Sequence, residues 1–232
     1  MANFYTHLSV SSVIGIVGGV VLCGAGLISS EESLCLLSLC IFGGLLPDID
    51  SDSDASINII AKLFSGICAF LIMFPFISKF AILISLGLFV LSYLFIRFGV
   101  LTLVSKFTQH RGIIHSVPSA VFACFMTSII LYYVFKVNIN FAWLGAGFVL
   151  FGYLSHLVLD ECFTQNLAGE PINRACGGAF QLISFKSWIS FLVLYVILVA
   201  SYFLTPEFKS FSQKMFSMQT GSKVEHHLFS GS

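Results

Sequence analysis

Charged side chains are scarce in this sequence. Only 9% of its 232 residues are Asp, Glu, Lys or Arg, whereas 57% are hydrophobic. About a quarter of the residues of a soluble domain are charged. The mean hydropathy, +0.98, is correspondingly high. The shortage of charge excludes an ordinary soluble protein and indicates an integral membrane protein.

An excess of basic residues is also lacking, because 11 Lys and Arg residues balance 11 Asp and Glu residues. Nucleic-acid-binding domains carry a basic patch, so we expect no nucleic-acid partner. The first apolar run follows neither a basic stretch nor a small-residue cleavage pattern. We therefore interpret it as a retained membrane span and not as a signal peptide. No sequence feature defines an oligomeric state.

Paired cysteines are the third absence. The seven cysteines form no CxxC pair, and most of them lie inside apolar runs, where cysteine behaves as a small hydrophobic residue. This pattern argues against a disulfide framework and against a thiolate metal site.

Long apolar runs are what the sequence has in abundance. A helix that crosses a bilayer needs about 20 apolar residues, and helices are expected because lipid cannot satisfy an open backbone. The sequence therefore predicts an all-α, multi-spanning transmembrane helical bundle of about six to seven membrane segments. A shorter run, 34–46, indicates a tilted, partial or protein-buried span. The runs long enough to cross are 8–28, 57–77, 80–104, 118–136, 141–160 and 188–204.

The predicted organisation is a single membrane-embedded domain over residues 1–205, followed by a polar tail over residues 206–232. Phe208, Phe211, Met215 and Phe216 recur in the tail at nearly helical spacing. This spacing indicates an interfacial helix, and we expect a disordered end after it.

Histidine and aspartate are concentrated in a few short segments. Four of the five aspartates lie in "LLPDIDSDSD", and the fifth lies with a histidine in "GYLSHLVLDE". Ionisable residues are costly near a membrane and are usually functional there. If run 34–46 crosses fully, alternation of the spans brings all these segments to one membrane face. The candidate metal ligands are His7, Asp48, Asp50, His110, His115, His156 and Asp160.

Local geometry favours a metal site over scattered polar residues. His156 and Asp160 are spaced i, i+4 and share one helix face, and ligands on consecutive turns can bind one ion. Pro47 should end the preceding helix and leave Asp48 and Asp50 on a loop. Simpler readings remain: a solvated turn for the aspartates, and a helix-stabilising hydrogen bond for the i, i+4 pair.

The donor types indicate which metal. Mixed imidazole and carboxylate ligands favour zinc, with manganese or iron as alternatives. The candidates outnumber the three or four protein ligands of one zinc ion, so we expect two or three ions. Such clusters activate water and stabilise both the attacking and the leaving oxygen of a phosphoester. Arg111, between the two histidines of "HRGIIH", offers a planar donor to an anion, although it could also be a topology charge.

Three segments carry a family resemblance. "GGLLPDIDSDSD", "HRGIIHSVP" and "GYLSHLVLDE", in this order and preceded by His7, resemble the YdjM-type family of inner-membrane, metal-dependent hydrolases, some of which are under LexA control. A later segment, "NRACGGAFQLISFKSW", is similar to one branch of that family. The resemblance covers roughly residues 5 to 190. It implies a multi-pass protein of the bacterial inner membrane and a likeness to zinc-dependent phospholipases C and related nucleases, whose helical sites hold three zinc ions.

Carried over by position, the resemblance implies the same seven ligands and makes Arg111 their companion in the HRG motif. Glu161 matches the branch with the later segment and is a weaker ligand candidate. Many members have a threonine three places after the second aspartate, whereas here Thr164 follows Asp160 by four. We therefore assign Thr164 no role.

Two functions of different classes follow from these residues. The first is a metal-dependent hydrolase of a phosphoester in a membrane lipid or lipid-linked substrate. In it, Asp50 or Asp160 orients or deprotonates water and Arg111 stabilises developing charge. The second is a divalent-metal or anion transporter. Transporter sites lie near the bilayer midplane, often between inverted repeats, whereas these ligands lie at span ends and no repeat is evident. A metal-stabilised structural or regulatory role is a third possibility.

Overall fold

The computed structural model describes residues 4–50, 55–73, 76, 79–100, 113–168, 188–215, 217 and 222. Every regular element in these residues is a helix, so the all-α prediction is confirmed. The elements are α1 (Phe4–Gly24), α2 (Ser30–Leu45) with a 3-10 helix (Leu46–Asp50), α3 (Ala55–Met73), α4 (Ile82–Leu94) with a π-helical end (Phe95–Val100), α5 (Val117–Ile129) with a π-helical end (Ile130–Val134), α6 (Ile139–Ala168), α7 (Trp188–Leu204) and α8 (Phe208–Met215).

Several of these helices are long and apolar enough to cross a membrane. Among the described residues there are five, or six if the pair formed by Phe191–Leu204 and Phe208–Met215, bent by 76°, counts as one span. The short run 34–46 belongs to one of the five, the 19-residue segment Ser30–Asp48. It reaches this length because the helix begins in polar residues that an apolar-run count leaves out. By length and composition, this segment can cross fully.

The chain divides into two compact units. One comprises Met1–Leu46 and His115–Ser232, and the other comprises Pro47–Ile114. In the second unit, α3 packs against α4 and its π-helical end. In the first unit, α6 contacts α1, α2, α5 and α8. Helix α6 is therefore the centre of the first unit.

Short capped connections fold the first unit into two antiparallel helix pairs. Before α2, the Ser29 hydroxyl accepts the Glu32 N–H at 3.2 Å, and the Ser29 N–H donates to the Glu32 carboxylate at 2.8 Å. This reciprocal capping box fixes where α2 begins. Before α6, the Asn138 side-chain oxygen accepts the Phe141 N–H at 2.8 Å. As a result, the start of α1 lies beside the end of α2, and the start of α5 lies beside the later turns of α6.

Glycines let the backbones of α2 and α6 nearly touch. A Cβ atom at Gly152 would collide with the carbonyl oxygen of Cys40, and one at Gly43 would collide with the backbone of Val149. Small residues allow such close approach between membrane helices. The last turn of α2 is thereby pressed against the turn of α6 that carries His156.

The opposite end of α6 holds the helix predicted in the tail. The buried Trp143 donates its indole N–H to the Pro206 carbonyl at 3.2 Å. Its ring meets Phe208 edge to face, with centroids 4.9 Å apart. The apolar residues of α8 therefore pack on the beginning of α6.

Candidate metal centre

Three histidines and one aspartate converge at one end of the first unit. His7 lies at the start of α1, His115 lies two residues before α5, and His156 and Asp160 lie in α6. The exposed fractions of His7, His156 and Asp160 are only 2%, 0% and 7%. Buried ionisable groups in a membrane protein need partners, so their mutual geometry decides what this cluster can do.

One carboxylate faces all three imidazoles. Oδ1 of Asp160 lies 3.4 Å from Nε2 of His7, and Oδ2 lies 3.6 Å from Nε2 of His115 and 3.6 Å from Nε2 of His156. The rings of His7 and His156 stack with centroids 3.7 Å apart and planes inclined by 14°. Both carboxylate oxygens are therefore directed at imidazole nitrogens.

These separations match those of atoms that share a metal ion. Strong N–H···O hydrogen bonds measure about 2.7–3.2 Å. Two ligand atoms bound to one zinc ion at about 2.0–2.1 Å in tetrahedral geometry lie about 3.3–3.4 Å apart. One ligand atom each from His7, His156 and Asp160 also lies within 4.8 Å of the other two. This group can hold a metal ion.

The tautomer of His156 suits metal binding. Its Nδ1 lies 2.7 Å from the carbonyl oxygen of Gly44. A carbonyl can only accept, so Nδ1 carries the proton and donates it. In the neutral ring, Nε2 then carries a lone pair and faces the Asp160 carboxylate, which also has only lone pairs. A cation between them resolves this opposition, and a histidine held by a backbone carbonyl is a common metal ligand.

His7 offers a second test of whether the residues fit a metal. Its Nδ1 is buried and has no hydrogen-bond partner among the described residues. A buried polar atom without a partner costs about 1–3 kcal/mol, which a bound group would offset. The imidazole and carboxylate donors around Asp160 fit a divalent transition metal.

Two further predicted site residues follow α2 directly in the chain. Asp48 and Asp50 belong to the 3-10 helix Leu46–Asp50 in the second unit, and the side chain of Asp50 lies outside the described residues. As predicted, α2 ends before Pro47, but the chain continues as a 3-10 helix and not as a loop. Such 3-10 turns often close the ends of α-helices.

The segment that contains His110 and Arg111 also lies outside the described residues. Glu161 is half-buried next to Asp160 and does not belong to the group formed by His7, His156 and Asp160. Its role as a weaker ligand stays a prediction, as do the roles of Asp50, His110 and Arg111.

Sequence reasoning missed Gly44, whose carbonyl oxygen holds His156. A backbone acceptor has no side chain to mark it, so no motif rule points to it. The available signal was the glycine pair before Pro47, which places two residues without side chains in the last turn of a membrane helix.

The comparison with known proteins covers almost the whole chain. The profile of the YdjM inner membrane protein family matches residues 1–215. No curated protein and no solved structure shows a match. The matched range contains the four converging residues and every membrane-length helix described above. The chain therefore belongs to the YdjM inner membrane protein family.

Proposed function

We propose that the chain is a multi-pass enzyme of the bacterial inner membrane, a metal-dependent hydrolase that acts on a phosphoester of a lipid or lipid-linked substrate. One observation carries the proposal: three imidazoles surround one buried carboxylate at separations of 3.4–3.6 Å. Zinc is the proposed metal, because imidazole with carboxylate suits it well. Manganese and iron are the alternatives.

The ligands divide into a described shell and further candidates. His7, His156 and Asp160 would supply three protein ligands to one ion and leave its fourth position to water. His115 is a further donor beside Asp160. The two oxygens of Asp160 face different rings, so this carboxylate can also bridge two ions. Asp48, Asp50 and His110 remain as donors for a second or third ion.

The catalytic roles follow from which groups remain available. Zinc would activate water and stabilise anionic oxygens. Asp160 is surrounded by imidazoles and is better suited to be a ligand, so Asp50 is the proposed group that orients and deprotonates water. Arg111 would bind two phosphate oxygens through its planar guanidinium. A lipid-type substrate is proposed because the cluster lies at the ends of membrane-length helices.

Metal analysis of the purified full-length protein, joined to an activity panel, tests the proposal. We expect more than one zinc ion per chain, and hydrolysis of a phospholipid or phosphate ester that a chelator abolishes and zinc restores. Zinc at about 100 times its dissociation constant should stabilise the fold by about 2.7 kcal/mol. His226→Ala, a change in the tail outside the predicted ligand set, is the matched control and should keep full metal content.

Two results would count against the proposal in different ways. Absence of metal, with no thermal stabilisation by zinc or manganese, would contradict the metal centre itself. Metal binding with ion or anion flux into proteoliposomes, and no hydrolysis of any ester, would instead support the transporter.

A further inference from the structure

The hydrogen bond from His156 to Gly44 depends on the end of helix α2. Gly44 lies in the last turn of α2, where carbonyl groups run out of helical N–H partners. Pro47, three residues later, has no N–H with which to close a 3-10 turn onto it. The carbonyl oxygen of Gly44 lies 2.7 Å from Nδ1 of His156.

The same glycine is in close contact with helix α1. A Cβ atom at position 44 would lie 2.6 Å from Cβ and 2.8 Å from Oγ of Ser11, and 3.5 Å from the carbonyl oxygen of Gly152. The last distance is ordinary van der Waals contact, so the Ser11 side chain is the main obstruction. Ser11 is fully buried, and its hydroxyl donates to the His7 carbonyl at 2.7 Å.

We propose that Gly44 is a positioning residue of the metal centre. Its carbonyl oxygen keeps His156 protonated at Nδ1 with Nε2 toward Asp160. Its lack of a side chain lets Ser11 approach, so that α1 brings His7 to the same carboxylate. The inference rests on the metal-binding part of the proposed function. It adds one residue that positions two ligands, His156 and His7.

A second glycine and serine pair in the same two helices gives a matched control. A Cβ atom at Gly19 would lie 2.5 Å from Oγ of Ser33. This pair repeats the chemistry of Gly44 and Ser11, but it lies toward the other end of α1 and α2. Gly19→Ala therefore disturbs the same helix contact far from His156.

The test compares Gly44→Ala with Gly19→Ala in the full-length protein. The readouts are zinc affinity, from chelator competition, and the His156 tautomer of metal-free protein, from ¹⁵N-histidine NMR at alkaline pH with the signal assigned through His156→Gln. Loss of a group that holds a metal ligand in place typically weakens metal binding about 10- to 100-fold. We expect this loss, together with a changed tautomer, for Gly44→Ala. Gly19→Ala should lower the melting temperature and leave both readouts unchanged.

A second substitution, at Ser11 of α1, tests whether removing the obstruction restores the effect of Gly44. Gly44→Ala with Ser11→Gly removes both obstructing atoms and should restore the Nδ1–H tautomer and zinc affinity. Gly44→Ala with Ser11→Ala keeps the Cβ contact of 2.6 Å and should not. Equal loss of affinity in Gly19→Ala, or a wild-type signal in Gly44→Ala, would overturn the inference.

The NMR readout also separates this inference from the proposed function. If Gly44→Ala does not fold, the unmodified protein still decides, because an Nε2–H tautomer of His156 in it overturns the inference. The wild-type protein could bind no zinc and still show the Nδ1–H tautomer, with that tautomer lost in Gly44→Ala. This result would contradict the metal centre and leave the role of Gly44 intact.

Discussion

Asp160 is the residue on which the cluster depends. It is almost fully buried, and its two oxygens face the nitrogens of His7, His115 and His156. Without the carboxylate, the three imidazoles would have no common acidic partner among the described contacts. Asparagine at this position would remove the charge of the carboxylate and keep nearly the same shape, so it tests the charge without disturbing the packing.

Asp160→Asn should therefore lose most of the bound metal while the protein remains folded, because an amide is a much weaker ligand than a carboxylate. Elemental analysis with a melting curve measures both effects. Glu161→Gln is the adjacent control, and we expect it to retain its metal because Glu161 lies outside the group formed by His7, His156 and Asp160. Metal loss in Glu161→Gln would instead make Glu161 a ligand.

Arg111 and His115 should differ in what they contribute. Arg111→Lys keeps the charge but loses the planar guanidinium, so it should lower phosphoester turnover at least about tenfold with metal content nearly intact. His115→Ala should lower metal content and turnover together, because it removes a donor beside Asp160. If Arg111→Lys loses metal as completely as His115→Ala does, then Arg111 is structural.

At the scale of elements, helix α6 carries two residues of the candidate metal centre and also makes a close backbone contact with α2. His156 and Asp160 lie one turn apart on it, and Gly152 lies one turn before His156 against the backbone of α2. The helix can present its ligands to α2 only while that contact stays free of a side chain. Helix packing and the proposed metal centre are therefore linked through the same helix.

Two glycines of α6 allow a direct comparison. Gly152→Ala should destabilise the fold by about 1–3 kcal/mol, because overpacking against a backbone carbonyl forces the helices apart. Gly147→Ala meets nothing within 4 Å, so it should be neutral or stabilise by up to about 1 kcal/mol through helix propensity. Thermal unfolding in detergent measures the difference, and equal effects would argue against the close contact.

At the scale of the whole molecule, the ends of the first unit should lie on opposite sides of the membrane. Tyr5 lies two residues before His7, and Cys162 lies two residues after Asp160, whereas Ser30, Lys136 and Glu207 lie beside the connections at the other end. Single cysteines at these positions, in a background without the other native cysteines, report the side by labelling with an impermeant reagent. We expect positions 5 and 162, both exposed, to label from one side and the other three from the opposite side. Labelling of 5 and 162 from different sides would contradict the shared centre.

The sequence by itself determined the properties that depend on local pattern. The length of apolar runs indicated a helical membrane protein, and the i, i+4 spacing placed His156 and Asp160 on one face. Helix length was less certain, because the polar start of α2 at Ser30 is set by the cap at Ser29. The apolar run 34–46 therefore underestimated the length of α2, which is long enough to cross a membrane.

Only the tertiary structure decided which distant residues meet. His7 and His115 are far from Asp160 in sequence, and helix packing alone determines that their Nε2 atoms face its carboxylate. The backbone partner of His156 was hidden in the sequence, since every residue has a carbonyl group and no side chain distinguishes that of Gly44. The physical reason is that periodicity fixes the face of a helix, whereas close contact between helices fixes which backbone and side-chain atoms come within bonding distance.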